Sequence, residues 1–267
     1  MVKMASIVTY ESRPKLNRPI LIEGLPGVGN VGKIAADFIC EKLNGRRFAT
    51  ILSDDLPQQV LLDEECVANA VDNELWYAQV NGQDIVFLLG EAQGTTPQGQ
   101  FNLSKIVFDI VLPYDPSMIV TLGGYGTGKV VNDPRILGAV SDSKLKSRME
   151  GYGIGFYPNE PQGGIVGCAA ILISFGKAYG IDSVCIMGET SGYVLDHKSS
   201  NKVIAVLGEM LGTEFDTSEM QAEIDKIDEI NNQAQAAAAV NLRKRIYHIS
   251  DKLNQPLILY IMAISSD

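Results

Sequence analysis

The stretch Pro19–Ile39 constrains the fold more than any other part of the chain. A short apolar run, Ile20-Leu21-Ile22, meets a glycine-rich turn, and the turn opens an amphipathic run. That is the order strand, turn, helix. Two phosphate-binding patterns overlap in it. Gly27-Val28-Gly29-Asn30-Val31-Gly32 fits G-x-G-x-x-G, in which glycines let backbone N–H groups approach a pyrophosphate at a helix N-terminus. Gly27 to Gly32-Lys33 also fits G-x-x-x-x-G-K, but Ile34 stands where the magnesium-binding Ser or Thr belongs. The third reading is a tight turn in which Gly27, Gly29 and Gly32 let the helix lie close to the sheet.

Alternation of strand-like and helix-like runs continues through the first two hundred or so residues. Strands are expected at Phe48–Leu52, Asp84–Leu89, Met118–Leu122, Ile136–Ala139 and Ser183–Met187. Helices are expected at Val31–Leu43, Phe101–Leu112, within Gly164–Gly180, and at Asn201–Leu211 closed by Gly212. Cys66–Val71 and Glu74–Val80 read as a hairpin turned at Asp72-Asn73. Residues 123–129 form a second glycine loop ending in lysine, either an anion nest or a surface loop after a strand. The pattern specifies an α/β sandwich with a largely parallel sheet.

Past Asp216 the pattern changes. From there to Leu253 there is no proline or glycine, and apolar residues recur at helical spacing. An unbroken helix there would be about 50 Å long; Asn231-Asn232 could instead divide it into a hairpin. The expected organisation is a core over residues 1–215, a helical arm over 216–255 and a tail over 256–267. The arm is expected to pack on the parent domain or on a neighbouring subunit.

The net charge of −10 argues against nucleic acid or an anionic membrane as the main partner. The longest apolar run near the C-terminus, Pro256–Ile264, is far short of the ~20 residues that span a bilayer. No signal peptide is read, so a cytoplasmic protein is expected. Cys40, Cys168 and Cys185 sit in apolar runs and read as core residues; with Cys66 they form no C-x-x-C pair. His197 and His248 are the chain's only histidines, which leaves little material for a triad or a metal site, and His197 reads as a loop residue. No cofactor or metal is expected. Glu91 and Glu189 follow strands, where they could act as bases or hold a ribose or an amine. Alternatively they cap helices or accept loop N–H bonds. An enzyme reading would combine Gly27, Gly29, Gly32 and Lys33 with Glu91 and Glu189 to bind a nucleotide or nucleoside.

Five motifs occur in order: Pro19–Gly32; Asp84-Ile85 leading to Gly90-Glu91-Ala92-Gln93; Gly123–Gly128 with Leu137-Gly138-Ala139; Gly164–Gly167; and Gly188–Tyr193. Together they resemble the archaeal branch of the proteasome assembly chaperone 2 family over residues 7 to 215. The resemblance implies a three-layer α/β/α fold with a mostly parallel or mixed sheet, similar to nucleoside phosphorylases and hydrolases. It implies a non-enzymatic homo-oligomer that binds proteasome α subunits and helps assemble the core particle. Some members of this branch carry a hydrophobic–tyrosine–X tail that docks between α subunits. Leu259-Tyr260-Ile261 has that composition and is followed by Met262–Asp267. Family members are sometimes labelled similar to ATP-grasp ligases, but no set of magnesium-binding acids is found here.

Overall fold

The computed structural model describes residues 6–222, 224–227 and 229. The chain divides into two units, Met1–Thr217 and Ser218–Asp267. In chain order the first contains β1 (Ser6–Tyr10), β2 (Ile20–Glu23), α1 (Val31–Lys42), β3 (Arg46–Ser53), β4 (Val60–Leu62), β5 (Ala68–Ala70), β6 (Asn73–Val80) and β7 (Gln83–Gly90). It continues with α2 (Pro97–Val111), β8 (Met118–Gly126), β9 (Ile136–Val140), α3 (Lys146–Glu150), α4 (Gly167–Tyr179), β10 (Ser183–Thr190) and α5 (His197–Leu211). The described residues of the second unit are helical. The rest of the expected arm, and Leu259, Tyr260 and Ile261, lie outside the described residues.

Among the described residues, eight strands form one sheet in the order β1-β3-β6-β7-β2-β8-β10-β9. At its centre β7, β2, β8 and β10 run parallel, so Gly90, Glu23, Gly126 and Thr190 end on one side of the molecule. These strands are near-continuous apolar runs because helices cover both faces. On one face α2 and α4 close over Leu21, Leu75, Leu88 and Ile119, with Phe108 and Leu172 filling the layer. On the other, α1 and α5 lie against β2, β8 and β10. This is the three-layer α/β/α sandwich with a mixed sheet that the family resemblance implies.

The expected hairpin at Asp72-Asn73 is not formed. β5 pairs with β4 in a separate two-stranded sheet, while β6 pairs with β3 and β7. The buried Asn73 side chain donates to the Ala92 carbonyl at 2.9 Å and anchors the start of β6. The hairpin turn lies instead at Asn81-Gly82, both at positive φ (51° and 79°), as a two-residue type I′ connection requires. The second glycine loop is strand as far as Gly126, in register with β10. Nor is His197 a loop residue: it begins α5, capped by Asp196, which accepts from the Ser199 N–H at 2.9 Å. Cys40, Cys168 and Cys185 are buried and Cys66 is exposed.

Candidate functional site

The five motifs come together on the side where the parallel strands end. The turn after β2 is shaped by close approach. A Cβ on Gly24 would stand 2.1 Å from the Ala36 Cβ, and one on Gly32 would stand 2.5 Å from the Leu122 carbonyl oxygen. Gly29 has φ 62°, and a Cβ there would meet the Thr190 hydroxyl at 2.7 Å. Gly27 is different. Its backbone is extended and nothing lies within 4 Å of a Cβ placed on it. So Gly24 and Gly32 bring helix and strand together, and Gly29 seats the turn on the end of β10. Gly27 has no such role, contrary to the packing expected of it. On β8, Gly124 admits the Val28 carbonyl, which would lie 2.1 Å from a Cβ there.

Lys33 does not face the turn. Its Nζ donates to the Gly90 carbonyl at 3.2 Å and pairs with Glu91 at 2.9 Å and Asp37 at 3.0 Å. Burial alone would lower the Lys33 pKa, but the pairing with Glu91 and Asp37 outweighs it and raises it. Burial also holds the Asp37 carboxyl above its ordinary range despite Lys33. Glu189 is held elsewhere. Its Oε1 accepts from the Arg135 Nε at 2.9 Å, and its Oε2 accepts from the Arg135 backbone N–H at 3.0 Å. These bonds from Arg135 depress the Glu189 pKa against the opposing effect of burial. The structure therefore brings Lys33 and Glu91 together in one groove that Glu189 does not line. Among the described residues no group of three or more His, Cys, Asp or Glu could hold a metal ion, and no helix is long and apolar enough to cross a membrane.

The loops are tied to one another. Gln93 donates from Nε2 to the Pro26 carbonyl at 2.8 Å and accepts at Oε1 from the Cys168 N–H at 3.1 Å, linking the turn after β2 to the start of α4. Asp196 N–H donates to the Gly29 carbonyl at 3.0 Å, and Thr127 N–H to the Thr190 carbonyl at 2.8 Å. On this frame stand side chains the sequence reading did not single out: Val28, Val130, Val166, Tyr193, Val194 and Leu195 are exposed, Val166 to 80% and Tyr193 to 81%. Val28 and Tyr193 belong to the motifs, but a motif does not reveal which of its side chains face water. Several polar groups of these loops bond to one another, and the exposed apolar side chains stand among exposed polar ones such as Lys129, Asn132 and Gln162. Such an arrangement suits contact with a macromolecule.

A mixed sheet with helices on both faces, and loops carrying exposed apolar side chains at its carboxyl edge, defines a three-layer α/β/α protein. Residues 21–235 match the PAC2 family, and the chain belongs to it. It is 30% identical over 223 residues to the uncharacterised protein MJ1210 of Methanocaldococcus jannaschii, covering 83% of this chain and 85% of that one. Among solved structures it is similar to PbaB of Pyrococcus furiosus, an archaeal proteasome activator, at 29% identity and TM-score 0.80, covering 86% of this chain and 98% of that one. It also shares the fold of Pyrococcus furiosus PbaA, an archaeal homologue of proteasome-assembly chaperone, at 22% identity and TM-score 0.71, covering 92% and 98%.

Proposed function

We propose that this protein is a non-enzymatic proteasome assembly chaperone or proteasome-binding factor that engages proteasome α subunits as a homo-oligomer in the cytoplasm. The apolar loop surface at the carboxyl ends of β2, β8 and β10 carries the reading: Val28, Val166 and Tyr193 are held outward by loops bonded to each other. Family membership and the likeness to PbaB support the proteasome as the partner. In this reading the core over residues 1–215 supplies the contact surface. The arm over 216–255 supplies self-association, and the tail with Leu259, Tyr260 and Ile261 supplies a second contact with the α subunits.

Purified protein mixed with recombinant proteasome α subunits, followed by native mass determination, tests this. The expected result is a complex of defined mass. Tyr193→Ser should weaken it by tenfold or more, since an exposed aromatic at the centre of a contact is worth about 2 kcal/mol or more. Absence of any complex with α subunits, with the wild-type protein folded, would overturn the proposal.

A further inference from the structure

The β4–β5 hairpin stands apart from the main sheet. Its turn is ordered locally: Asp63 Oδ1 accepts from the Glu65 N–H at 3.0 Å and the Val67 N–H at 2.9 Å. Yet both strands are exposed along their whole length, and Val60, Leu61, Leu62 and Val67 present large apolar side chains to water. An isolated two-stranded ribbon is marginal in water, and such a ridge is stabilised by what covers it.

A groove lies on each side of the ridge. One, of 580 Å³, is lined in part by Ile7, Leu52, Pro57 and Val60. The other, of 610 Å³, lies between α1 and the hairpin, with Trp76 and Leu89 in its lining. Among the described residues lining that second groove, Lys33 is the single cation against five carboxylates, Asp37, Glu41, Asp72, Glu74 and Glu91. Lys33 pairs with Asp37 and Glu91, and Arg47 beside the groove pairs with Glu74, which leaves Glu41 and Asp72 as the acids facing an incoming cation. Burial first, and neighbouring acids after it, push both Asp37 and Asp72 upward, against Lys33 at Asp37 and Arg47 at Asp72.

We propose that the hairpin and its acidic groove form a docking surface for a basic amphipathic segment of a partner protein. Apolar side chains of the segment cover Leu62 and Val60, while Lys or Arg side chains enter the groove toward Glu41 and Asp72, near the Trp76 ring over which Arg47 lies. Charge decides the occupant. A second copy meeting this face symmetrically would set acidic groove against acidic groove in a chain that already carries a net charge of −10. A basic segment meets opposite charge. The surface is separate from the strand-end loops, and the inference goes beyond the proteasome reading.

Trp76 is the only tryptophan in the chain, so its emission reports on the groove directly. The probe is a tryptophan-free synthetic amphipathic peptide of leucine and lysine, with a leucine–glutamate peptide as counterpart. The full chain should bind the lysine peptide saturably with a shift in Trp76 emission, and more weakly as salt rises. Leu62→Ser, at an exposed position that leaves folding intact, should weaken binding about tenfold. The Glu41→Gln/Asp72→Asn double variant should weaken it several-fold, and Asp109→Asn, on α2 across the sheet, should leave it unchanged. The proposal is overturned if Leu62→Ser binds as the wild type does. It is equally overturned if Asp109→Asn weakens binding as much as the groove variants, or if the glutamate peptide binds equally well. A native mass that Leu62→Ser lowers without peptide present would make the occupant a second copy and overturn it too. No proteasome component enters this experiment, so its failure and that of the proteasome reading are distinguishable.

Discussion

Glu23 ends β2, is 1% exposed, and accepts from the Leu25 N–H at 3.1 Å through Oε1. Burial, only partly offset by backbone hydrogen bonds from Leu25 and Leu122, pushes its pKa from 4.5 up to about 7. The folded state therefore holds this proton where the unfolded chain releases it. Glu23's contribution to stability is complete below pH 4.5 and is lost as pH rises through about 7, a change of about 3 kcal/mol. Glu23→Gln should flatten this part of the pH–stability curve, measured by denaturant unfolding at pH 5 and pH 8. If the same slope persists in the variant, another group causes it. The glycines of the first turn divide just as sharply. Gly32→Ala forces a Cβ against the Leu122 backbone and should cost about 2–4 kcal/mol, whereas Gly27→Ala should stay within about 0.5 kcal/mol. Thermal melts of the two variants check both figures. The sequence marks all these glycines alike. Which of them is crowded depends on Leu122 and Thr190, about 90 and 160 residues further along, so no local pattern distinguishes them.

At the scale of elements, apolar runs located the central strands and the helices that cover them, because burial on both sides leaves a local signature. Pairing was less legible. The ribbon residues Cys66–Val71 stand next to β6 in sequence, so the two read as one hairpin, yet β5 turns back to β4. The Asn81-Gly82 dipeptide carried the stronger turn signal, and its meaning extends past the turn. Asn81 Nδ2 donates to the Leu211 carbonyl at 3.1 Å and the Gly212 carbonyl at 2.8 Å, joining the hairpin to the end of α5. Asn81→Ala loses both bonds and a residue suited to positive φ, so it should cost about 1–2 kcal/mol. Equilibrium unfolding measures this; a loss below about 0.3 kcal/mol would mean that water replaces the side chain without cost. β8 exceeded its expected length for the same long-range reason. Its glycines stay extended because β10 pairs with them and the first turn rests on Gly124.

For the molecule as a whole, the order of the five motifs was enough to specify the layers and the family. It did not specify where the acids point: Glu91 pairs with Lys33 and Glu189 with Arg135, and both pairings depend on chain segments brought together only by folding. The apolar loop surface was equally hidden, since Val166 and Tyr193 differ from core residues only in exposure. The proposed division into core and arm leads to a test of assembly. A chain ending at Thr217 should keep a cooperative thermal transition and assemble with fewer subunits, as analytical ultracentrifugation would read against the mass of the shortened chain. An unchanged number of subunits would place the self-association contact in the core.

The four thiols differ in burial. Burial pushes Cys40 and Cys185 up to about 12 and Cys168 well above its ordinary value, so all three are shielded and protonated at neutral pH. Cys66 stands in water at the tip of the β4–β5 ribbon. A maleimide dye added to the native protein should therefore attach at one place, without any engineered cysteine. That gives an optical handle beside the acidic groove, whose distance to a labelled partner could be followed as the two associate.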